Sequence, residues 1–149
     1  MRQMVKVDLD GSSERIFGVL KDLAAYESWL GFVDSVESLE AEGNLACWQV
    51  TLRAQIGPFA RLKQLRMVLV EDEAPRVIRF VRRETDGKEH SNWELLVLID
   101  GREGGGCSVT MEVSYSGKFW SLPLQSVFHS HVDAAKDLLQ QTFAEEEDS

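Results

Sequence analysis

The chain has 149 residues, 44% of them hydrophobic and 28% charged, which suits one domain (1–149) with a core that needs neither disulfides nor a structural metal. Its net charge of −9 argues against nucleic-acid binding, which needs clustered Lys and Arg. Cys47 and Cys107 lack a C-x-x-C spacing and read as reduced, buried thiols of a cytoplasmic protein. The opening MRQMVKVDLDG has no apolar h-region, and no apolar run approaches the roughly 18 residues of a membrane span.

Residues 3–9 alternate, with Val5, Val7 and Leu9 on one face, and predict a half-buried strand. Ser12 or Ser13 can cap a helix over 13–23, where Ile16, Phe17, Leu20 and Leu23 recur at helical spacing and Glu14 suits the positive N-terminal end. A second short helix is expected over 25–30, ended by Gly31. From Val33 the period changes to two. Strands are expected over 33–40, 46–54, 62–70, 77–83, 92–99 and 108–117, with a hairpin turn at Asp86-Gly87. Asp100–Gly106 (DGREGGG) matches no phosphate-loop pattern, leads into a strand, and reads as a flexible hairpin. From Leu122 the period becomes helical. Leu124, Val127, Phe128, His131, Val132, Ala135, Leu138, Leu139 and Phe143 form the apolar stripe of a helix over 122–143, with Pro123 near its start. Residues 145–149, with the acidic run Glu145 to Asp148, read as a disordered, solvated tail.

This order predicts an α+β fold. A curved seven-stranded antiparallel sheet follows from the short turns between strands, and its concave face must be covered. The long C-terminal helix has a stripe of the length needed to cross that face.

The stretch VDLDGSSERIFGVLKDLAAYESWLGFVDSVESLE resembles the start of the SRPBCC superfamily: the START, birch-pollen-allergen and polyketide cyclase group. The matching positions are Leu20, Asp22, Leu23, Tyr26, Trp29, Val33, Ser35, Val36 and Glu37. The later strand order and the final helix fit the family's helix-grip arrangement, so the resemblance spans nearly the whole chain. It implies an interior that opens between sheet and helix. Members of the group bind lipids, sterols, polyketides or plant hormones, and some catalyse cyclisation or dehydration.

Alternation and helical spacing then single out a candidate ligand-binding set of Trp48, Met67, Phe80, Trp93, Met111 and Tyr115 from the sheet and Phe128, His131 and Ala135 from the helix. The plain alternative is that these side chains fill the interior completely. His131 lies on the apolar stripe and could orient a ligand or act as acid or base, although a satisfied core histidine is the commoner case. His90, Glu94 and Arg66 read as surface pairing between strands. There is no metal site, no nucleophile–His–acid arrangement and no implied cofactor. The leading expectation is binding or carriage of a hydrophobic small molecule. One alternative is a cyclase or dehydratase working through His131 or Tyr115. Another is a filled interaction module that could form a homodimer through Leu96 and Leu98.

Overall fold

The computed structural model describes residues 2–56, 58–116 and 134–144. Phe128 and His131, most of the helix expected over 122–143, and the tail 145–149 lie outside the described residues.

Seven strands form one antiparallel sheet: β1 Arg2–Leu9, β2 Val33–Glu42, β3 Leu45–Ile56, β4 Phe59–Glu73, β5 Val77–Arg82, β6 Trp93–Gly101 and β7 Cys107–Tyr115. The order across the sheet is β1-β7-β6-β5-β4-β3-β2. Strands β2 to β7 therefore make a continuous meander, and β1 joins beside β7 with Val5 opposite Met111 and Val7 opposite Val109. Directly opposed residues share a face. The register thus puts Val50, Leu65, Met67, Leu69, Phe80, Leu95, Val97, Met111 and Val113 on the concave side.

The link from β1 to β2 lies over that side. Helix α1, Ser13–Leu20, is capped by Ser12, whose hydroxyl accepts from the Arg15 backbone N–H, and it buries Ile16, Phe17 and Leu20. A 3-10 helix, Leu23–Ser28, follows with Asp22 as its cap and buries Leu23 and Tyr26. The sequence predicts an α-helix over 25–30 here. The chain instead makes a tighter turn two residues earlier, because the Asp22 carboxylate accepts from the Ala24 N–H.

Residues 134–144 form the described part of the last helix, α2. Ala135, Leu139 and Phe143 are buried at a helical interval. Polar contacts fix its position. The Arg15 guanidinium donates to the Phe143 carbonyl at 2.8 Å and lies over the Phe143 ring, the Trp29 indole N–H donates to Thr142, and the Gln140 amide donates to the Asp8 carbonyl. Gly106 marks the tightest backbone approach. A Cβ there would sit 2.8 Å from the Leu9 carbonyl oxygen, and its φ of +78° favours glycine.

Two strand boundaries depart from expectation. Strand β4 starts at Phe59 and continues to Glu73 through a bulge between Leu69 and Glu71. Asp86-Gly87 does not form a two-residue hairpin, because β5 ends at Arg82 and β6 begins at Trp93. Side-chain bonds hold the longer connection instead. Asp86 accepts from the Lys88 N–H, and Glu84 accepts from the Arg66 N–H of β4 and from the Arg82 guanidinium.

Candidate functional site

Two apolar spaces remain between the concave face and the segment from Leu23 to Val33. The first, about 70 Å³, has a sheet floor that includes Val50, Leu65, Met67 and Trp93, with Leu23 among the residues opposite. The second, about 40 Å³, is bounded by Val5, Met111, Trp29, Ala135 and Leu139. Tyr26, Leu30, Phe32, Leu95 and Val113 wall both, so the two spaces are neighbours. Each space is smaller than the ~150 Å³ of an engineered apolar cavity that admits benzene. Neither space alone encloses a guest of that size.

The expected ligand-binding residues divide into groups. Met67 and Trp93 border the first space, and Met111 and Ala135 border the second. Trp48 and Phe80 meet edge to face at 5.5 Å, and Phe80 meets Tyr26 in the same way at 6.1 Å, so these rings pack on one another. Trp48 and Phe80 border neither space, and Trp48 lines a separate cleft with Lys21, Leu45 and Leu69. Tyr115 stacks on Trp93 at 4.8 Å, and burial pushes its pKa up.

Several lining residues lie outside the set that alternation singles out: Leu23, Tyr26, Leu30 and Phe32, all between α1 and β2. Tyr26 is a wall without free chemistry. Its hydroxyl donates to the Leu20 carbonyl at 2.7 Å, and burial, with the Asp22 carboxylate adding to it, drives its pKa far above the ordinary value.

A polar cluster borders the concave face. Arg82 opposes Met67 in the β4–β5 register and so shares its side. Its side chain is only 7% exposed. The guanidinium donates to Glu84 at 2.9 Å and to the Ser91 carbonyl and hydroxyl, and it lies 3.4 Å from the His90 ring. Lys63 opposes Leu52 on the same side. Burial, and after it the Arg82 charge, hold the Lys63 pKa below the ordinary lysine value.

His90, Glu94 and Arg66 do not converge. His90 pairs with Asp86, Glu94 with Arg79, and Arg66 with Glu42. Glu94 makes the pairing between strands expected of it, Arg66 reaches Glu42 with its own side chain largely buried, and His90 departs from expectation by pairing within the β5–β6 connection. Leu96 is half-buried and Leu98 is 37% exposed. Among the described residues, no group of three or more His, Cys, Asp or Glu could hold a metal ion, and no helix is long and apolar enough to cross a membrane.

Carboxylates of this surface network titrate low. Hydrogen bonds from Arg66 and then Arg83 hold the Glu42 pKa below its ordinary value. For Glu84, burial acts to raise the pKa, but the Arg66 N–H and the Arg82 guanidinium together outweigh it. The Lys88 N–H and then His90 lower that of Asp86. A carboxylate with a depressed folded-state pKa contributes stability that is present above the ordinary range, near pH 4, and lost as pH falls through the folded value. Urea midpoints should therefore drop from about pH 5 to about pH 3, and a Glu42→Gln/Asp86→Asn variant should show a shallower drop. Equal drops in parent and variant would show that these groups do not carry the acid sensitivity.

A curved antiparallel sheet, with helices on its concave side and apolar spaces between, defines a helix-grip protein with a side-chain-walled interior. The chain belongs to the polyketide cyclase/dehydrase and lipid transport family, whose model matches residues 4–144, and with it to the SRPBCC superfamily. Solved structures share the fold at low identity. A START superfamily protein from Mycobacterium smegmatis aligns at TM-score 0.71 and 13% identity, over 97% of each chain. A protein from Thermus thermophilus aligns at TM-score 0.70 and 17% identity, over 98% of this chain and 99% of that one. The Zhui aromatase/cyclase from Streptomyces sp. R1128 aligns at TM-score 0.63 and 13% identity, over 97% of this chain and 93% of that one. No match is found among curated proteins.

Proposed function

We propose that this protein binds a hydrophobic small molecule, of lipid or polyketide-like class, between the concave face of the sheet and the C-terminal helix. The observation that carries this reading is the pair of apolar spaces that share Tyr26, Leu30, Phe32, Leu95 and Val113 as walls. Rotation of Leu30 and Phe32 would merge them without breaking a backbone hydrogen bond of the sheet. Burying a guest there gains on the order of 25 cal/mol per Å² of apolar area, so no charged anchor is required. In this reading Met67, Trp93, Met111 and Ala135 contact the guest, Trp48 and Phe80 form the base, and Tyr115 orients a polar end. Phe128 and His131 are proposed to complete the site from the helix side.

The test is titration with a fluorescent fatty acid and with an aromatic polyketide, alongside native mass spectrometry of protein purified from its own host. The parent should bind at least one probe or carry a co-purified guest. Ala135→Trp should lower affinity at least tenfold by filling the second space, with circular dichroism confirming that the fold survives. Unchanged binding in a folded Ala135→Trp protein would place the site elsewhere.

A further inference from the structure

Strands β3 and β4 run on past the rest of the sheet. Pairing of β2 with β3 stops at Leu52, and pairing of β5 with β4 starts at Met67, yet β3 and β4 stay paired out to Ile56 and Phe59. From Arg53 and Leu62 outward the two strands form a ribbon that no other described strand flanks. The ribbon spans about 13 Å at the rise of an extended chain. A free two-stranded ribbon is marginal in water, and a polar tip would be the ordinary solution. This one instead exposes Phe59 at 70% and Leu62 at 62%, the two most exposed large hydrophobics described. The register puts them on opposite faces of the ribbon, so neither can fold back onto the sheet with the other.

The charge pattern is equally local. Residues 43–70 contain no Asp or Glu and carry Arg53, Arg61, Lys63 and Arg66. The rest of the chain holds the other 12 cations and all 25 acids. Arg53 and Arg61 are exposed beside Phe59 and Leu62. A narrow ribbon with Phe59 near its tip, Leu62 at its base and Arg53 and Arg61 alongside matches the interface of a bilayer with anionic headgroups, where apolar groups enter the acyl boundary and Lys or Arg stay at headgroup level. A protein partner would need roughly 800 Å² of matching surface on each side, and a projecting ribbon tip does not offer it.

We infer that the β3–β4 ribbon is a docking device for anionic lipid surfaces, with Phe59 and Leu62 inserting and Arg53 and Arg61 contacting headgroups. It goes beyond the binding of a guest in the interior and does not depend on it.

The test is co-sedimentation with vesicles of pure phosphatidylcholine and of phosphatidylcholine in which about one lipid in three is phosphatidylglycerol. The parent should partition onto the anionic vesicles and be released by salt. Phe59→Ser/Leu62→Ser should lower partitioning at least tenfold, with an unchanged melting temperature because both side chains are exposed. Each of Arg53→Gln and Arg61→Gln should lower it by roughly fivefold. Ala135→Trp should bind vesicles as the parent does, so a failed ligand titration and a failed docking experiment are separate results. A parent that stays in the supernatant with both vesicle types would overturn the inference and leave the ribbon to a protein partner or a second copy of the chain. So would a folded Phe59→Ser/Leu62→Ser protein that sediments like the parent.

Discussion

Replacing Phe80 with alanine is expected to cost about 3–5 kcal/mol, the range for removing a large buried aromatic. Phe80 is fully buried on β5 at the centre of the sheet. Its ring touches Trp48 from β3 and Tyr26 from the 3-10 helix, so one side chain ties the floor of the interior to its cover. Ring contacts of this kind add about 0.5–1.5 kcal/mol to area burial, and two are lost together. Neighbours can collapse into the hole only partly, since Tyr26 is tethered through its hydroxyl to Leu20. Urea denaturation of the two proteins measures the difference. A loss under about 1 kcal/mol would mean that the Trp48–Phe80–Tyr26 contact does not hold the cover in place.

The second large effect is expected at Glu84. Arg82 is charged and almost wholly buried, and Glu84 is its carboxylate partner. Removing one member of a buried pair leaves an uncompensated charge and costs about 3–5 kcal/mol, whereas replacing both with apolar groups is often nearly neutral. Glu84→Ala should therefore destabilise by about 3 kcal/mol, at the lower end because the Ser91 carbonyl and hydroxyl remain as acceptors for Arg82. Arg82→Met/Glu84→Ala should recover most of that loss. A double variant as unstable as Glu84→Ala would show that Glu84 acts through the Arg66 N–H rather than through Arg82.

The sheet is legible in the sequence because apolar and polar side chains alternate along most of its strands. Val109 and Met111 are buried between the half-buried Ser108, Thr110 and Glu112, and an alternation of that kind fixes both strand and face, whereas on β3 Cys47 and Thr51 are buried along with Trp48, Val50 and Leu52. The ribbon beyond Arg53 is not legible as an extension. Phe59 and Leu62 are exposed on its two opposite faces, and period two then carries no contrast. Arg82 could be found from the sequence, since it continues the alternation of Ile78 and Phe80 onto the concave face. The lining role of Leu30 and Phe32 has no such signal. They stand in an irregular link whose direction is set by packing over the sheet, and spacing along the sequence says little there. The ring-filled base at Trp48 and Phe80 depends on side-chain volume in three dimensions, which alternation does not encode.

The pairing of β1 with β7 also decides when the interior can close. Arg2 to Leu9 find their partners about a hundred residues later, at Cys107–Ser114, while every pairing from β2 to β7 joins strands adjacent in the chain. Distant pairings incur the larger loop-closure entropy and form late. During synthesis the meander can therefore assemble strand by strand while β1 waits unpaired. Helix α2 waits as well, because its contacts run to Asp8, Arg15 and Trp29. The second space thus lacks its Val5 edge and its Ala135–Leu139 wall until the last segments emerge, and a hydrophobic guest present at the ribosome would meet the site while that side is still open.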